Sequence, residues 1–308
     1  MPEILFIDLP KLLKKKGVRM AGDRPAVGVS SKTESPYKDN RMKRYCKNVD
    51  ITDRKLIRKA VYKCLRNKYK RNDVLKMFSE YSGLPKDFIK GAFKEFGLRA
   101  LQPFAEMVID GIREELMQNN LKFKPIWYKE KVDASSQKVR RIGVQNIKQQ
   151  IYDYIAVEAL EDFLKRIGEY QCAAIKNKGQ SYGIKAIKRW MRNKSIRYAG
   201  QCDITKCYPS IDRAKLMEFL RKYIKNEPLL NLIEKLIGTF EAGLSIGSYL
   251  SQYLCNVFLS QIYHEIAEKN VSDQEEKGRD HTTNKSGITS DILHGRYINF
   301  RKQREGHS

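Results

Sequence analysis

No Cys-x-x-Cys pair occurs in the 308 residues, and the six cysteines (Cys46, Cys64, Cys172, Cys202, Cys207, Cys255) are scattered through apolar stretches. That spacing argues against both a zinc framework of paired thiols and a disulfide scaffold, and it predicts reduced, buried thiols. Histidine is scarce: all four lie between His264 and His307, which removes His-based catalysis or metal binding from the main body. No run of about 18 apolar residues is available to span a membrane. The opening MPEILFIDLPKLLKKKG mixes acids with a few apolar residues, unlike the basic start and apolar core of a signal peptide. These absences predict a cytoplasmic protein with no membrane partner. Acidic residues are also in deficit, 36 Asp and Glu against 60 Lys and Arg, for a net charge of +24. Such a field gathers a polyphosphate chain and releases its counterions, so nucleic acid is the default partner, beside the blander reading of a solubilising surface. With 41% apolar residues the chain can bury a core across two or three packed subdomains.

Four regions follow from composition and periodicity. Residues 1–50 read as an irregular segment, with Gly, Ser, Pro and charge concentrated in GDRPAVGVSSKTESPYKDN. Residues 51–121 read as a basic helical region. Its first helix, capped by Thr52, carries Ile57, Ala60, Val61, Cys64 and Leu65 on one face. Arg41 to Asn72 holds 13 basic and 2 acidic residues, so the opposite face suits phosphate contact or plain solvation. From Lys122 the pattern alternates: FKPIWYKEKVDASSQKVRRIGV predicts a basic hairpin turning at Asp133 to Gln137, ahead of the amphipathic NIKQQIYDYIAVEALEDFL. A second basic stretch, Lys176 to Arg197, has eight cations and no acid, with Tyr182, Trp190 and Tyr198 in or beside it. Cations can meet phosphates while rings stack on bases, although Ile184, Ile187 and Trp190 also fit a helix's core face.

Two segments concentrate the chemistry. RYAGQCDITKCYPSID ends a predicted strand at Asp203 and bends through Thr205 to Ser210 into the helix RAKLMEFLRKYI. A carboxylate at the end of a core strand needs a compensating partner, either a divalent metal or hydrogen bonds from the turn that follows. Further on, GLSIGSYLSQYLCNVFLSQIYHEI is a loop bounded by Gly243 and Gly247 that feeds a long helix. Glycines at both ends let the backbone approach a flat ligand, or simply close a tight turn.

Together, in this order and spacing, these segments resemble the reverse transcriptase palm. Asp203 with Tyr208 is similar to motif A, and IGSYLSQ (Ile246 to Gln252) is similar to motif B. VRRIGV and AAIKNKGQSYGIKAIKRW resemble the two fingers motifs. An aliphatic residue before the glycine and Gln252 after the serine resemble the bacterial enzymes of diversity-generating retroelements more than those of group II introns. The resemblance implies an α+β, helix-rich polymerase right hand, with fingers and a partial palm over 122–270 behind the basic N-terminal helical region. It implies Mg-dependent nucleotidyl transfer to a primer 3′-hydroxyl, with an RNA template, a primer and dNTPs as partners. Asp203 would be the catalytic, metal-binding carboxylate for Mg²⁺, with Mn²⁺ as the alternative ion. Arg140, Arg141, Ile204, Tyr208, Gly243, Ile246, Gly247 and Gln252 would face the nucleotide, Tyr208 by blocking a ribose 2′-hydroxyl. Lys176, Lys178, Lys185, Lys188 and Arg189 would contact nucleic acid. Ile246 in place of a glutamine implies low copying fidelity.

One part of the resemblance is missing. The family places an Asp-Asp pair after the motif B helix, and this chain has no Asp-Asp pair anywhere. Only seven apolar residues follow Asn270, so 271–308 is expected to be a polar, disordered tail. Asp280 and Asp291 lie in it, outside any apolar strand pattern. Three readings result: a reverse transcriptase truncated before motif C and without activity by itself, a non-catalytic RNA or primer-template binding protein, or a polymerase that borrows its missing carboxylates.

Overall fold

A computed structural model describes residues 4–6, 44–134, 137–172, 175, 177–192, 196–275, 289–293 and 296–302, with backbone only for 4–6, 196–203, 265–275, 289–293 and 296–302. Lys176 and most of the 1–50 segment lie outside the described residues. The chain is a helix-rich α+β protein that divides into two units. The first comprises 1–43, 168–205 and 259–308, and the second 44–167 and 206–258.

In the second unit, helix α1 (Arg54–Leu65) buries the five predicted core residues against helices α4 (Leu101–Met117) and α5 (Ile147–Ala159). Spacings of three and four put those residues on one stripe, which is why this segment is a helix packed on one side. Its cap is Asp53, whose side chain accepts from Lys55 N at 3.1 Å; the expected Thr52 is instead held by Asp50, to which its hydroxyl donates at 2.7 Å. Helices α2 (Asn72–Ser82) and α3 (Lys86–Phe96) follow, α2 packing on both α3 and α4. Phe78, Phe93 and Phe104 form the aromatic centre of that cluster. The basic face of α1 is not a free cationic surface. Arg54 and Arg58 pair with Glu106, and Lys59 and Lys63 with Glu158, a nearly buried carboxylate on α5.

Strands β2 (Trp127–Val132) and β3 (Val139–Val144) form the expected antiparallel hairpin, with Glu130 opposite Arg141 and Lys131 opposite Arg140. Asn146 caps α5 by accepting from Gln149 N at 2.8 Å. After the short helix α6 (Glu161–Leu164) the chain leaves this unit and re-enters it through the single turn α8 (Cys207–Ser210) and helix α9 (Arg213–Tyr223), which Asp212 caps. Helix α10 (Glu227–Gly238) buries Leu229, Leu230, Leu232, Ile233, Leu236 and Ile237 and packs on both α5 and α9. Its apolar pairs recur at helical spacing, and Asn226 caps it by accepting from Leu229 N at 3.0 Å. That signal is local and legible, although it lies between the two chemistry-bearing segments and was not among the expected elements.

In the first unit a five-stranded mixed sheet runs from edge to edge through β1 (Ile4–Phe6), β5 (Ile196–Asp203), β7 (Arg296–Lys302), β6 (Thr289–Leu293) and β4 (Gln171–Cys172). Strand β5 thus sits inside the sheet, parallel to β1 and antiparallel to β7. The segment expected as a polar tail supplies two of these strands, because pairing with a core strand satisfies backbone groups whatever the side-chain polarity. Helix α7 (Gln180–Met191) packs beside β4 and β6, burying Ala186 and Trp190 with Tyr170 and Ile187 against them. The last helix, α11 (Tyr249–Glu275), begins in the second unit and continues in the first.

Candidate functional site

The Gly243–Gly247 loop is held at both ends by main chain. At one end Leu244 N donates to Tyr208 O at 2.9 Å, and Gly243 has φ +47° with its missing Cβ 2.5 Å from the Tyr208 carbonyl oxygen. At the other end Gly143 N, on the hairpin, donates to Ile246 O at 2.7 Å. Gly247 has φ +109°, and a Cβ there would lie 2.5 Å from Gly143 O. Both glycines are therefore needed for backbone conformation and for close approach. The loop joins the hairpin to the Tyr208 turn. Tyr208 itself is largely covered, which pushes its phenol well above the ordinary range, so it presents a neutral ring. Ile246 and Gln252 are half-buried, and Gln252 O accepts from Asn256 Nδ2 at 3.1 Å, one turn along the helix.

Beneath the loop lies a residue that motif spacing does not single out. Asp153, on α5, has no solvent exposure. Its Oδ2 accepts from Ser248 Oγ at 2.7 Å and from Leu250 N at 3.3 Å, while Oδ1 accepts from Gln145 Nε2 at 3.2 Å. Ser248 Oγ in turn accepts from Ser251 N at 3.1 Å, so serine and aspartate together cap α11. Burial pushes the Asp153 carboxyl up to about 6, and the hydrogen bonds hold it from rising further. An aspartate inside an amphipathic pattern leaves one legible trace, an acid at helical spacing from the buried Val157 and Leu160.

The two arginines of the hairpin are already engaged. Arg140 Nη2 is 2.6 Å from Asp133 Oδ2. Arg141 Nη1 is 2.7 Å from Glu241 Oε2, and its guanidinium lies 4.6 Å from the centre of the Tyr128 ring. Tyr128 Oη accepts from Glu241 N at 3.0 Å, which keeps that residue beside the arginine. All these charged groups are solvent-exposed or on the rim, where a polyanion can displace a carboxylate from a guanidinium at modest cost.

Asp203 and Ile204 belong to the first unit. Asp203 ends its strand opposite Arg296. Lys178 Nζ donates to Gly168 O at 3.4 Å, and Arg189 Nη2 donates to Tyr170 Oη at 3.0 Å. Lys185 and Lys188 lie on the same helix as Arg189, α7. Among the described residues no group of three His, Cys, Asp or Glu side chains could hold a metal ion. Asp291 pairs with Ile298, one strand beyond the neighbour of Asp203. None of the five cysteines with described side chains is in a disulfide, and Cys207 Sγ lies 3.7 Å from Cys255 Sγ.

A model of the reverse transcriptase (RNA-dependent DNA polymerase) family matches residues 129–297, more than half of the chain. The match starts in the hairpin and runs past Asn270 into the last strand of the sheet. No curated protein matches the chain.

Proposed function

This chain belongs to the reverse transcriptase family, and from that membership we propose that its hairpin, its Gly243–Gly247 loop and Tyr208 form the fingers and palm surface that receives a deoxynucleoside triphosphate opposite an RNA template. The observation that carries this reading is the junction of hairpin, loop and Tyr208 turn through Gly143, Ile246 and Leu244. Those are the segments that motif resemblance assigns to one nucleotide, and they are joined by hydrogen bonds within one unit. In this reading Arg140 and Arg141 exchange Asp133 and Glu241 for triphosphate oxygens. The Tyr208 ring excludes a ribose 2′-hydroxyl, the Ile204 main chain faces the triphosphate, and Gly243, Ile246, Gly247 and Gln252 line the base and template side. Lys176, Lys178, Lys185, Lys188 and Arg189 contact the nucleic acid backbone. Ile246 and Gln252 ally the loop with the bacterial diversity-generating enzymes.

The family generally depends on a divalent metal. We assign Mg²⁺, with Mn²⁺ as a substitute, and Asp203 as the carboxylate this chain contributes. Because no Asp-Asp pair follows, the chain by itself is proposed to hold its substrates without joining them. A primer-extension assay with RNA template, dNTPs and Mg²⁺ tests this. No extension is expected, whereas extension that disappears in Asp203→Ala would overturn the inactivity. The alternative, a non-catalytic RNA or primer-template binding protein, is favoured by the same absence. It predicts RNA binding with no affinity for dNTPs.

A further inference from the structure

We propose that Asp153 is the positioning residue of the nucleotide-facing loop: its carboxylate ties the end of the hairpin, the loop and the start of the long helix into one fixed arrangement. The inference rests on the reading above for what the loop contacts, and on geometry alone for what Asp153 holds. Three separate chain segments converge on one buried side chain: Gln145 follows β3, Ser248 closes the loop, and Leu250 opens α11. The groups that Asp153 fixes lie within a few residues of Gly143, Ile246 and Gly247, which make the hairpin-to-loop contact.

A carboxylate suits this junction better than an amide. It accepts at both oxygens, and all three of its side-chain and main-chain partners here are donors. Asparagine in its place would turn an amide N–H toward one of those donors. That N–H, facing Gln145, is met only if the Gln145 amide turns over, and the variant then loses the charge that strengthens the bonds from Ser248 and Leu250. One polar atom nearby has no donor among the described residues, the buried Gln145 Oε1. Turning that amide over would let it accept from a protonated Asp153, so the junction has a second hydrogen-bonding state available when the carboxyl gains a proton.

The charged groups on the elements packed around Asp153 are engaged with partners of their own. Cys64 on α1 and Tyr154 on α5 respond to its charge, but burial pushes the Cys64 thiol up to about 12 and the Tyr154 phenol above its ordinary value. Arg71 and Asp73 at the start of α2 pair with each other, Lys68 donates to Gln150, and on α10 Glu234 pairs with Arg221. The loop itself, GLSIGS, carries no titratable side chain.

The test compares the full chain with Asp153→Asn and with the milder Ser248→Ala. Amide hydrogen exchange by mass spectrometry is read over peptides covering 141–146 and 243–251, with α1 and α4 peptides as the internal reference. Exchange about tenfold faster at the junction, with the reference unchanged, is expected for both variants. In the unsubstituted chain the junction's exchange, corrected for intrinsic rates, should change between about pH 5 and pH 7, and this step should be absent in Asp153→Asn. Binding supplies the readout that a purely structural role would not move: dNTP affinity should fall about tenfold while RNA affinity holds. Equal loss of both, or junction exchange unaltered in both variants, would overturn the proposal. If the unsubstituted chain binds no dNTP, the function proposed above fails, and the exchange data still decide the role of Asp153.

Discussion

At the scale of single residues, Asp153 and Asp110 show how the same side chain is driven in opposite directions. Arg54 donates to Asp110 and holds its carboxyl below the ordinary range, but both groups are exposed and the pair contributes little. Asp153 is fully buried, and its carboxyl is pushed up to about 6. The folded chain therefore keeps this proton longer than the unfolded chain does. Stability from this group is fully present below the unfolded value and is lost as pH rises to about 6, by up to about 3 kcal/mol. Urea unfolding of the chain and of Asp153→Asn at several pH values checks this. The variant should gain on the unsubstituted chain as pH rises through that window, and a constant difference would contradict a buried carboxylate that ionises in place. Among the candidate residues, the need for glycine at Gly243 and Gly247 was legible because glycine marks places where no side chain fits. Asp153 was not, because its significance lies in partners 95 and 97 positions away in the chain.

At the scale of elements, α1 was legible nearly residue by residue, since its five apolar positions follow helical spacing and all are buried. Ile57, with no exposure, lies on the stripe against which α4 and α5 pack. Ile57→Ala should lower unfolding free energy by about 2–5 kcal/mol in chemical denaturation, with the denaturant slope unchanged. Lys55→Ala, on the exposed face of the same helix, should change it by less than about 0.5 kcal/mol. What the periodicity could not give was the state of the helix's cations. Glu106 and Glu158 reach them from α4 and α5, and only packing brings those carboxylates into range. The segment after Asn270 shows the converse. Its composition suggested a solvated tail, yet β6 and β7 pair beside β5, because a strand's place in a sheet depends on an available edge as well as on apolar content.

At the scale of the whole molecule, the net charge of +24 survives local pairing as a long-range field. RNA binding by filter assay should weaken steeply and linearly on a logarithmic salt scale. Replacing Lys185, Lys188 and Arg189 together by alanine should reduce the slope by about one unit for each phosphate no longer neutralised, with little dependence on RNA sequence. An unchanged slope would remove α7 from the nucleic acid path.

The sequence by itself determined the family, the helix-rich α+β class and the order of the motifs, because these depend on local spacing and on which residue types a turn or a helix face tolerates. Tertiary structure decided which groups meet: that Arg140 and Arg141 rest on Asp133 and Glu241, and that a late segment completes the sheet. It also decided that the loop bounded by Gly243 and Gly247 stands on one buried aspartate. The physical reason is range. Propensity and periodicity act over a few residues, whereas hydrogen bonds and ion pairs at a site join residues that only the folded chain brings within about 3 Å.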